Sequence, residues 1–395
     1  MIKVLFIQDG EIYKDKFDQY YGTHIDESIK QRYLMLGDNL TLLTRLISVS
    51  SDQAKKYGRI QADRFQHVKL PDFKSIKGHF TLRRKAYKII QEQVAKHDVI
   101  VTRLPSASGN YAFKLAKKAN KPFLVEMVGC TFDGYWNYNW KGKFIAHYKL
   151  FKQQRIIKQS PFVIYVTSDY LQQKYPTKGE NVNISNVKLT QLYPDKVALK
   201  AEAFLQRTQN QPLVIATIAT LNVPYKGQAD VIRALAILKR RFPERQIKYK
   251  LVGQGDPSRL KEAIQKYGVE DWVEIIGPIK HHQVFEFLES VDLYIQPSKQ
   301  EGLPRAVIEA MASGCPALGA RTAGIPELLQ AECIFKGGDY QKIADLISKV
   351  DNNWLNKQST INFKNAEQYT HDTLTDRRRI FYKKFLDHYN ISHNI

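Results

Sequence analysis

The sequence predicts an α/β protein built of two doubly wound domains. Three observations lead there. The chain has 395 residues, more than one ordinary hydrophobic core accommodates, so two domains are expected. Short apolar runs of strand length alternate with longer helix-patterned stretches in a composition that is 43% hydrophobic, the pattern of parallel sheets covered by helices. The third observation is the stretch 298–327, SKQEGLPRAVIEAMASGCPALGARTAGIPE, which follows the strand-like DLYIQPS at 292–298. Residues 299–303 make a glycine-containing turn, and Pro304 suits a first helical position, whose N–H has no partner in any case. Ala306, Val307, Ala310 and Met311 recur at helical spacing, Gly314 and Pro316 end the helix, and PALG opens another strand. Strand, turn and helix start together form an anion site, because free N–H groups and the positive end of the helix dipole point into the crevice.

In chain order, IKVLFIQDG is the expected first strand, with its carboxyl end at a ligand crevice. EIYKDKFDQYYGTHIDESIKQRYL then places Tyr20, Tyr21 and Gly22 in a polar loop before a helix, either a cleft loop or a plain surface loop. LTLLTRLISV (40–49), DVIVTRLPS (98–106, which holds Arg103) and FLVEMVG (123–129) read as further strands; Glu126 in the last is either near the cleft end or paired inside. CTFDGYWNYNWKGKF (130–144) sets Phe132, Tyr135, Trp136, Tyr138, Trp140 and Phe144 among Lys141 and Lys143. Aromatics interleaved with lysines suit carbohydrate stacking, a membrane interface or single-stranded nucleic acid, while a loop that tucks its rings under the sheet is an equal alternative. A basic helix to about residue 160, the strand FVIYVT and a helix start at Ser168 follow. Residues 181–189 close the first domain, and the polar 190–212 reads as a linker.

The second domain opens with LVIATIATLNVPYKGQADVIRALAILKRR, a strand, a loop carrying Lys226 and a helix. YKLVGQGDPSRL adds a strand and a turn with Gly253 and Gly255; one G-x-G is weak evidence by itself. Residues 372–389 read as a closing helix with Leu374, Phe381, Phe385 and Leu386 apolar. Within the 298–327 stretch, Glu301 and Glu309 stand eight positions apart, which on a helix is roughly 12 Å. A nucleotide-sugar is about that long, so one carboxylate can hold sugar hydroxyls and the other the ribose. Glu309 as a solvated helix residue is the competing reading; against it, its neighbours Val307, Ala310 and Met311 look buried, and an unpaired carboxylate there is costly.

EGLPRAVIEAMASGCP followed by AGIPELL resembles the Glu-x7-Glu signature of the retaining family 4 glycosyltransferases, which have the GT-B fold of two Rossmann-like domains. The resemblance covers most of the chain and is strongest in its second half. It implies an acceptor domain at 1–190, a nucleotide-sugar donor domain at 191–370 and a last helix, 371–395, returning to the first domain. It also implies a hexose-type sugar carried by a nucleoside diphosphate, taken as UDP, and a glycan or lipid-linked acceptor in cell-surface polysaccharide synthesis. Donor contacts fall on Thr220, Lys226, Gly253, Pro278, Ile279, Glu301, Gly302, Leu303, Pro304, Arg305 and Glu309, with Lys226 and Glu301 the catalytic pair. Acceptor or cleft contacts fall on Tyr21, Gly22, Arg103, Glu126, Asp133 and Trp136. The chain departs from the family in two places. Ala219 and Thr220 stand where Gly-Arg is common, which makes Arg305 a candidate substitute for the missing cation, and no His follows the 123–129 strand. A nucleotide-sugar epimerase on the same fold and a basic nucleic-acid-binding protein are the rival functions.

The formal net charge of +21 is uneven: residues 1–190 hold 32 basic and 16 acidic side chains, and within them 71–160 hold 18 and 5. Lys74, Lys77, Arg83, Arg84, Lys85 and Lys88 are close enough in sequence to share one surface, which predicts attachment to an anionic membrane, or a solvated basic helix. The phosphate-site pattern lies in the other half and no nucleic-acid motif is visible, which disfavours nucleic acid. Cys130, Cys315 and Cys333 share no metal-ligand spacing, neither H-E-x-x-H nor D-x-D occurs, and no metal or other cofactor is expected. The N-terminus runs directly into a strand pattern and no run approaches a membrane span, so a cytoplasmic, peripheral protein at the inner face of the membrane is expected.

Overall fold

The computed structural model describes all residues except 24, 74, 138, 139, 209, 394 and 395, and not the side chains of 76, 77 and 79. Two sheets organise the described residues. In the second, six parallel strands run in the order Val273–Gly277, Ile247–Val252, Leu213–Ile218, Leu293–Gln296, Ala317–Ala320, Ile334–Phe335. Numbered along the chain this is 3-2-1-4-5-6, the dinucleotide-domain order. The first sheet repeats it: Phe65–Lys69, Asn39–Ser48, Lys3–Lys14, Val99–Leu104, Phe123–Met127, Phe162–Tyr165 and Glu180–Asn183 are all parallel. Strands such as Leu293–Gln296 and Phe123–Met127 are buried along their whole length, because helices cover both faces of a parallel sheet and alternation is lost.

Three stretches differ from the sequence expectation. The first strand does not stop at Gly10 but continues to Lys14 and pairs antiparallel with Tyr20–Gly22, so Tyr20, Tyr21 and Gly22 form a hairpin instead of a loop. The 130–144 segment is not a tucked loop; it is helical, as Thr131–Trp136 and the first turns of Trp140–Lys158, and Tyr138 lies outside the described residues. The 190–212 segment contains the helix Pro194–Leu205, whose Val197, Ala201 and Phe204 are buried. A three-residue apolar face at i, i+4 and i+7 is enough for a helix that docks on another. Its partner is Asn352–Ala366, which donates from Asn356 Nδ2 to Ala201 O at 2.8 Å and from Asn352 Nδ2 to Arg207 O at 2.8 Å.

The last helix, His371–His388, leaves the second sheet and crosses to the first. Its Phe381 and Phe385 rings lie 5.7 and 5.2 Å from Phe162. At the crossing, His371 N donates to Leu189 O at 2.7 Å, so the two connections between the domains run side by side.

Candidate active site

Ligands of doubly wound sheets sit outside the carboxyl ends of the strands, where strand order reverses. In the second sheet that place lies between Leu213–Ile218 and Leu293–Gln296, and the loops leaving these two strands carry Lys226 and Glu301. Lys226 ends the short turn Pro224–Lys226, and Gly227 follows at φ 76°. A Cβ at Gly227 would overlap the Pro297 carbonyl oxygen, so glycine alone lets this loop lie on the neighbouring strand end. Lys299 N donates to Tyr225 O at 2.7 Å and locks the two loops together.

The consequence is a charge pair across the crevice. Lys226 Nζ stands 2.6 Å from Glu301 Oε1, with the two side chains 20% and 11% exposed. Gln296 Nε2 donates to the same oxygen at 3.0 Å, and Gln296 Oε1 is held by the Tyr294 hydroxyl at 2.7 Å. Burial, with Glu301 and Glu309 nearby, keeps the Tyr294 hydroxyl protonated far above its ordinary range. Lys299 Nζ forms a second pair with Asp230 Oδ2 at 2.9 Å. Glu301 is thus oriented by a cation and an amide in a largely dehydrated setting, where charge-assisted bonds are strong.

Glu309 is 7% exposed, one oxygen lying 3.5 Å from the Nε2 of exposed His281, so it is not a solvated helix residue. The helix runs Arg305–Ala312 with Pro304 as its N-cap. Glu301 therefore precedes it, and a helical rise measures only part of the spacing between the two glutamates. Arg305 is exposed, and among the described residues no hydrogen bond or ion pair ties it to the crevice. The Thr220 carbonyl accepts from buried Gln228 Nε2 at 3.0 Å, and Gly253 N donates to Gly277 O at 2.9 Å, which holds the neighbouring strand ends together. Pro278 is exposed and Ile279 half-buried just beyond the end of Val273–Gly277.

The first domain covers this crevice. A Cβ at Gly302 would overlap the Val128 carbonyl oxygen, Asn137 Nδ2 donates to Lys299 O at 3.0 Å, and Leu303 packs against the cores of both domains. Glu327 joins the two domains more tightly than any residue singled out from sequence. Its carboxylate accepts from Ser168 N at 2.5 Å, Ser168 Oγ at 2.7 Å, Asp169 N at 3.2 Å and Tyr170 N at 2.7 Å. Sequence reasoning missed Glu327, Gln296, Lys299, Asp230 and Asn137. Glu327 lies inside the AGIPELL motif, but its partners are some 160 positions away, and no local pattern points to them.

Residues 201–368 match the family model described as "Glycosyl transferases group 1". The second half of the chain is thus similar to the group 1 glycosyl transferases. The whole chain is 28% identical to Protein CapJ of Staphylococcus aureus over 402 aligned residues, 100% of this chain and 99% of that protein. It is also 30% identical to the amylovoran biosynthesis glycosyltransferase AmsK of Erwinia amylovora over 44% of this chain and 42% of that one. Among solved structures, HepE of Anabaena in complex with UDP and glucose superposes with a TM-score of 0.64 at 15% identity, over 97% of this chain and 99% of that one. The sucrose-phosphate synthase of Thermosynechococcus elongatus superposes at 0.66 and 14% identity over 98% and 100%. The fold of this chain is GT-B.

In the first domain the residues expected from sequence to meet an acceptor do not form one cluster. Arg103 and Glu126 are paired inside: Glu126 Oε2 accepts from Arg103 Nη2 at 2.9 Å and from the Tyr33 hydroxyl at 2.8 Å, and Glu126 is 2% exposed. Burial disfavours its charge, but Arg103, with Arg32 and Arg378 beyond, outweighs this and holds the carboxyl below its ordinary value. A pair this satisfied stiffens the domain and is not a free acceptor contact. Asp133 is also engaged, by Tyr170 Oη at 2.6 Å and Lys174 Nζ at 2.9 Å. Tyr21 Oη donates to Asp15 Oδ2 at 3.1 Å, and Gly22 is buried in the hairpin. Trp136 remains 39% exposed, stacked on Phe132 at 5.2 Å. Of the basic cluster, Arg83, Arg84, Lys85 and Lys88 are exposed at the start of Arg83–Lys96, while Lys74 and the Lys77 side chain lie outside the description.

Proposed function

We propose that this chain is a glycosyltransferase that moves a hexose-type sugar from a UDP-sugar to a glycan or lipid-linked acceptor in cell-surface polysaccharide synthesis, with retention at the anomeric carbon and without a metal. The observation that carries the reading is the Lys226–Glu301 pair at 2.6 Å in the switch-point crevice, beneath the first domain. Departure of the nucleoside diphosphate leaves negative charge on the phosphate and positive charge on the sugar ring. Lys226, the second lysine Lys299 and the first turn of Arg305–Ala312 offer positive charge to the phosphate. Glu301 orients sugar hydroxyls and offsets the ring charge, while buried Glu309 takes the ribose. In the retaining step the C1–O bond to UDP breaks and the acceptor oxygen bonds C1 on the same face; its proton passes to the departing phosphate, so no protein base is required.

UDP as carrier is supported by two structural neighbours, HepE in complex with UDP and glucose and a Staphylococcus aureus TarM mutant with UDP among its ligands. AmsK, an amylovoran biosynthesis glycosyltransferase, and WcaL of Escherichia coli, described as a putative colanic acid biosynthesis glycosyltransferase, support an acceptor in polysaccharide synthesis. The basic excess in residues 71–160 supports a cytoplasmic protein peripheral on an anionic membrane; among the described residues no helix is long and apolar enough to cross one. The test is a thermal-shift screen of nucleoside diphosphates and their sugars, followed by proton NMR of the product's anomeric configuration. UDP-sugars should raise the melting temperature most and the product should keep the donor's configuration. Preference for another nucleotide, or an inverted product, rejects the corresponding part.

A further inference from the structure

The helix Trp140–Lys158 carries two apolar faces, and the fold uses one. Its buried residues are Gly142, Ala146, Gln153, Ile156 and Ile157. Trp140, Phe144, Tyr148 and Phe151 are 67%, 78%, 62% and 64% exposed. At 3.6 residues per turn these four rings fall within about 80° of arc, and the buried set centres about 180° away. A solvent-facing helix side is ordinarily polar, and packing against the first sheet requires nothing of these rings. Four large exposed aromatics in one stripe mark an interaction surface.

The chemistry beside the stripe selects the partner. From Trp140 to Lys158 the helix has six basic side chains and no acidic one: Lys141, Lys143, Lys149, Lys152, Arg155 and Lys158. Lys141 and Lys152 border the rings on one side and Lys143 lies on the other, while Arg155 and Lys158 continue their line at helical spacing. A second exposed apolar and basic group lies on a nearby helix of the same domain. Gln153 is bonded to Asn110 at 3.4 Å and Tyr87 stacks on Tyr111 at 4.1 Å, so this helix and the start of Arg83–Lys96 both border the first turns of Ala107–Lys118. There Phe80 is 83% exposed, beside Leu82, Arg83 and Arg84. Rings flanked by cations, with no acid to repel headgroups, match an anionic bilayer interface, where aromatic side chains settle at headgroup depth. A second copy of the chain would set the same positive stripe against itself.

We propose that the outer face of Trp140–Lys158 seats in the headgroup layer of an anionic membrane, with Phe144 and Phe151 entering it. The inference deepens the membrane part of the function proposed above and stands apart from the transfer chemistry. It also has a consequence for acceptor delivery. The helix begins just past Asn137, which touches the turn of the donor crevice, so an acceptor carried on a lipid is presented beside the donor.

The test is co-sedimentation of the full chain with vesicles of phosphatidylglycerol and phosphatidylcholine, and of phosphatidylcholine alone. The native protein should bind the anionic vesicles more tightly. The double variant Phe144→Ser, Phe151→Ser should bind them at least about tenfold more weakly, with circular dichroism and the UDP-induced melting shift unchanged. Equal binding by native and double variant overturns the proposal, because attachment then runs through the lysines alone and the membrane reading survives. No vesicle binding by the native chain overturns both, whatever a product assay shows of transfer. Two other results overturn it by giving the stripe a different partner: a native dimer that the double variant dissolves, or oligo-dT binding that the double variant loses.

Discussion

Lys226 and Glu301 neutralise each other across the crevice; in the proposed reaction a donor diphosphate has to draw the lysine away from a carboxylate 2.6 Å distant. The two residues should therefore behave as a unit. In a double-mutant cycle of Lys226→Met and Glu301→Gln, turnover losses are expected to be non-additive by more than about 1 kcal/mol; additive losses would mean that the pair is not shared during the reaction. Singly, Glu301→Gln should lower kcat by roughly 30 to 900-fold, for about 2 to 4 kcal/mol of lost charge stabilisation. Glu309→Gln should mainly raise the donor KM, since a ribose contact is present before and during the reaction. Near-normal turnover of Glu301→Gln assigns the pair a structural role. A separate residue-scale effect concerns stability. Burial, with Lys14 and Lys69 adding repulsion, lowers the His67 pKa to about 4, and its Nε2 contacts Thr44 Oγ1 at 3.2 Å. The folded state thus binds its proton less readily than the unfolded state, so stability is complete above the ordinary histidine range near 6.5 and is lost as pH falls toward about 4. Urea midpoints measured through that window should fall less steeply in His67→Phe than in the native chain.

At the scale of elements, one loop of the second domain holds one helix start of the first. Glu327 accepts four hydrogen bonds from residues 168–170, and bonds to a charged acceptor contribute more than neutral ones. Removing them should favour an open arrangement of the two domains. For Glu327→Ala the donor KM is expected to rise about 5- to 30-fold, for about 1 to 2 kcal/mol of lost closure, with a larger radius of gyration by small-angle scattering. An unchanged radius together with an unchanged KM would show that the contact does not govern closure.

For the whole molecule, the two halves divide the electrostatic work. Residues 71–160 carry most of the positive excess, while the proposed donor crevice has single lysines already paired with acids, Lys226 with Glu301 and Lys299 with Asp230. Two lysines and a helix start can neutralise a departing diphosphate without a divalent cation. Transfer in EDTA is accordingly expected to stay within about twofold of the control. Abolished transfer that magnesium or manganese restores would assign the diphosphate to a metal.

By itself the sequence determined the two-domain α/β architecture, the strands at 3–10, 40–48, 99–104, 123–127 and 213–218, and the turn-helix that carries Glu301 and Glu309. These are legible because buried parallel strands are continuous apolar runs, and because a helix declares its face by spacing within a dozen residues. It also revealed the excess of aromatic and basic residues near 140, though not that 130–144 is helical: exposed rings opposite a buried apolar face erase the period that would announce it. The hairpin of Tyr20–Gly22 and the docked helix Pro194–Leu205 escaped for a related reason, since each is short and is stabilised by a partner remote in sequence. Only the tertiary structure decided that Glu126 and Arg103 satisfy each other under the closing helix, that Lys226 meets Glu301, and that Glu327 reaches across to Ser168. Local pattern reports how a segment folds. Pairing of side chains across 23, 75 or 159 positions depends on where two sheets bring their strand ends, and that is a property of the assembled fold.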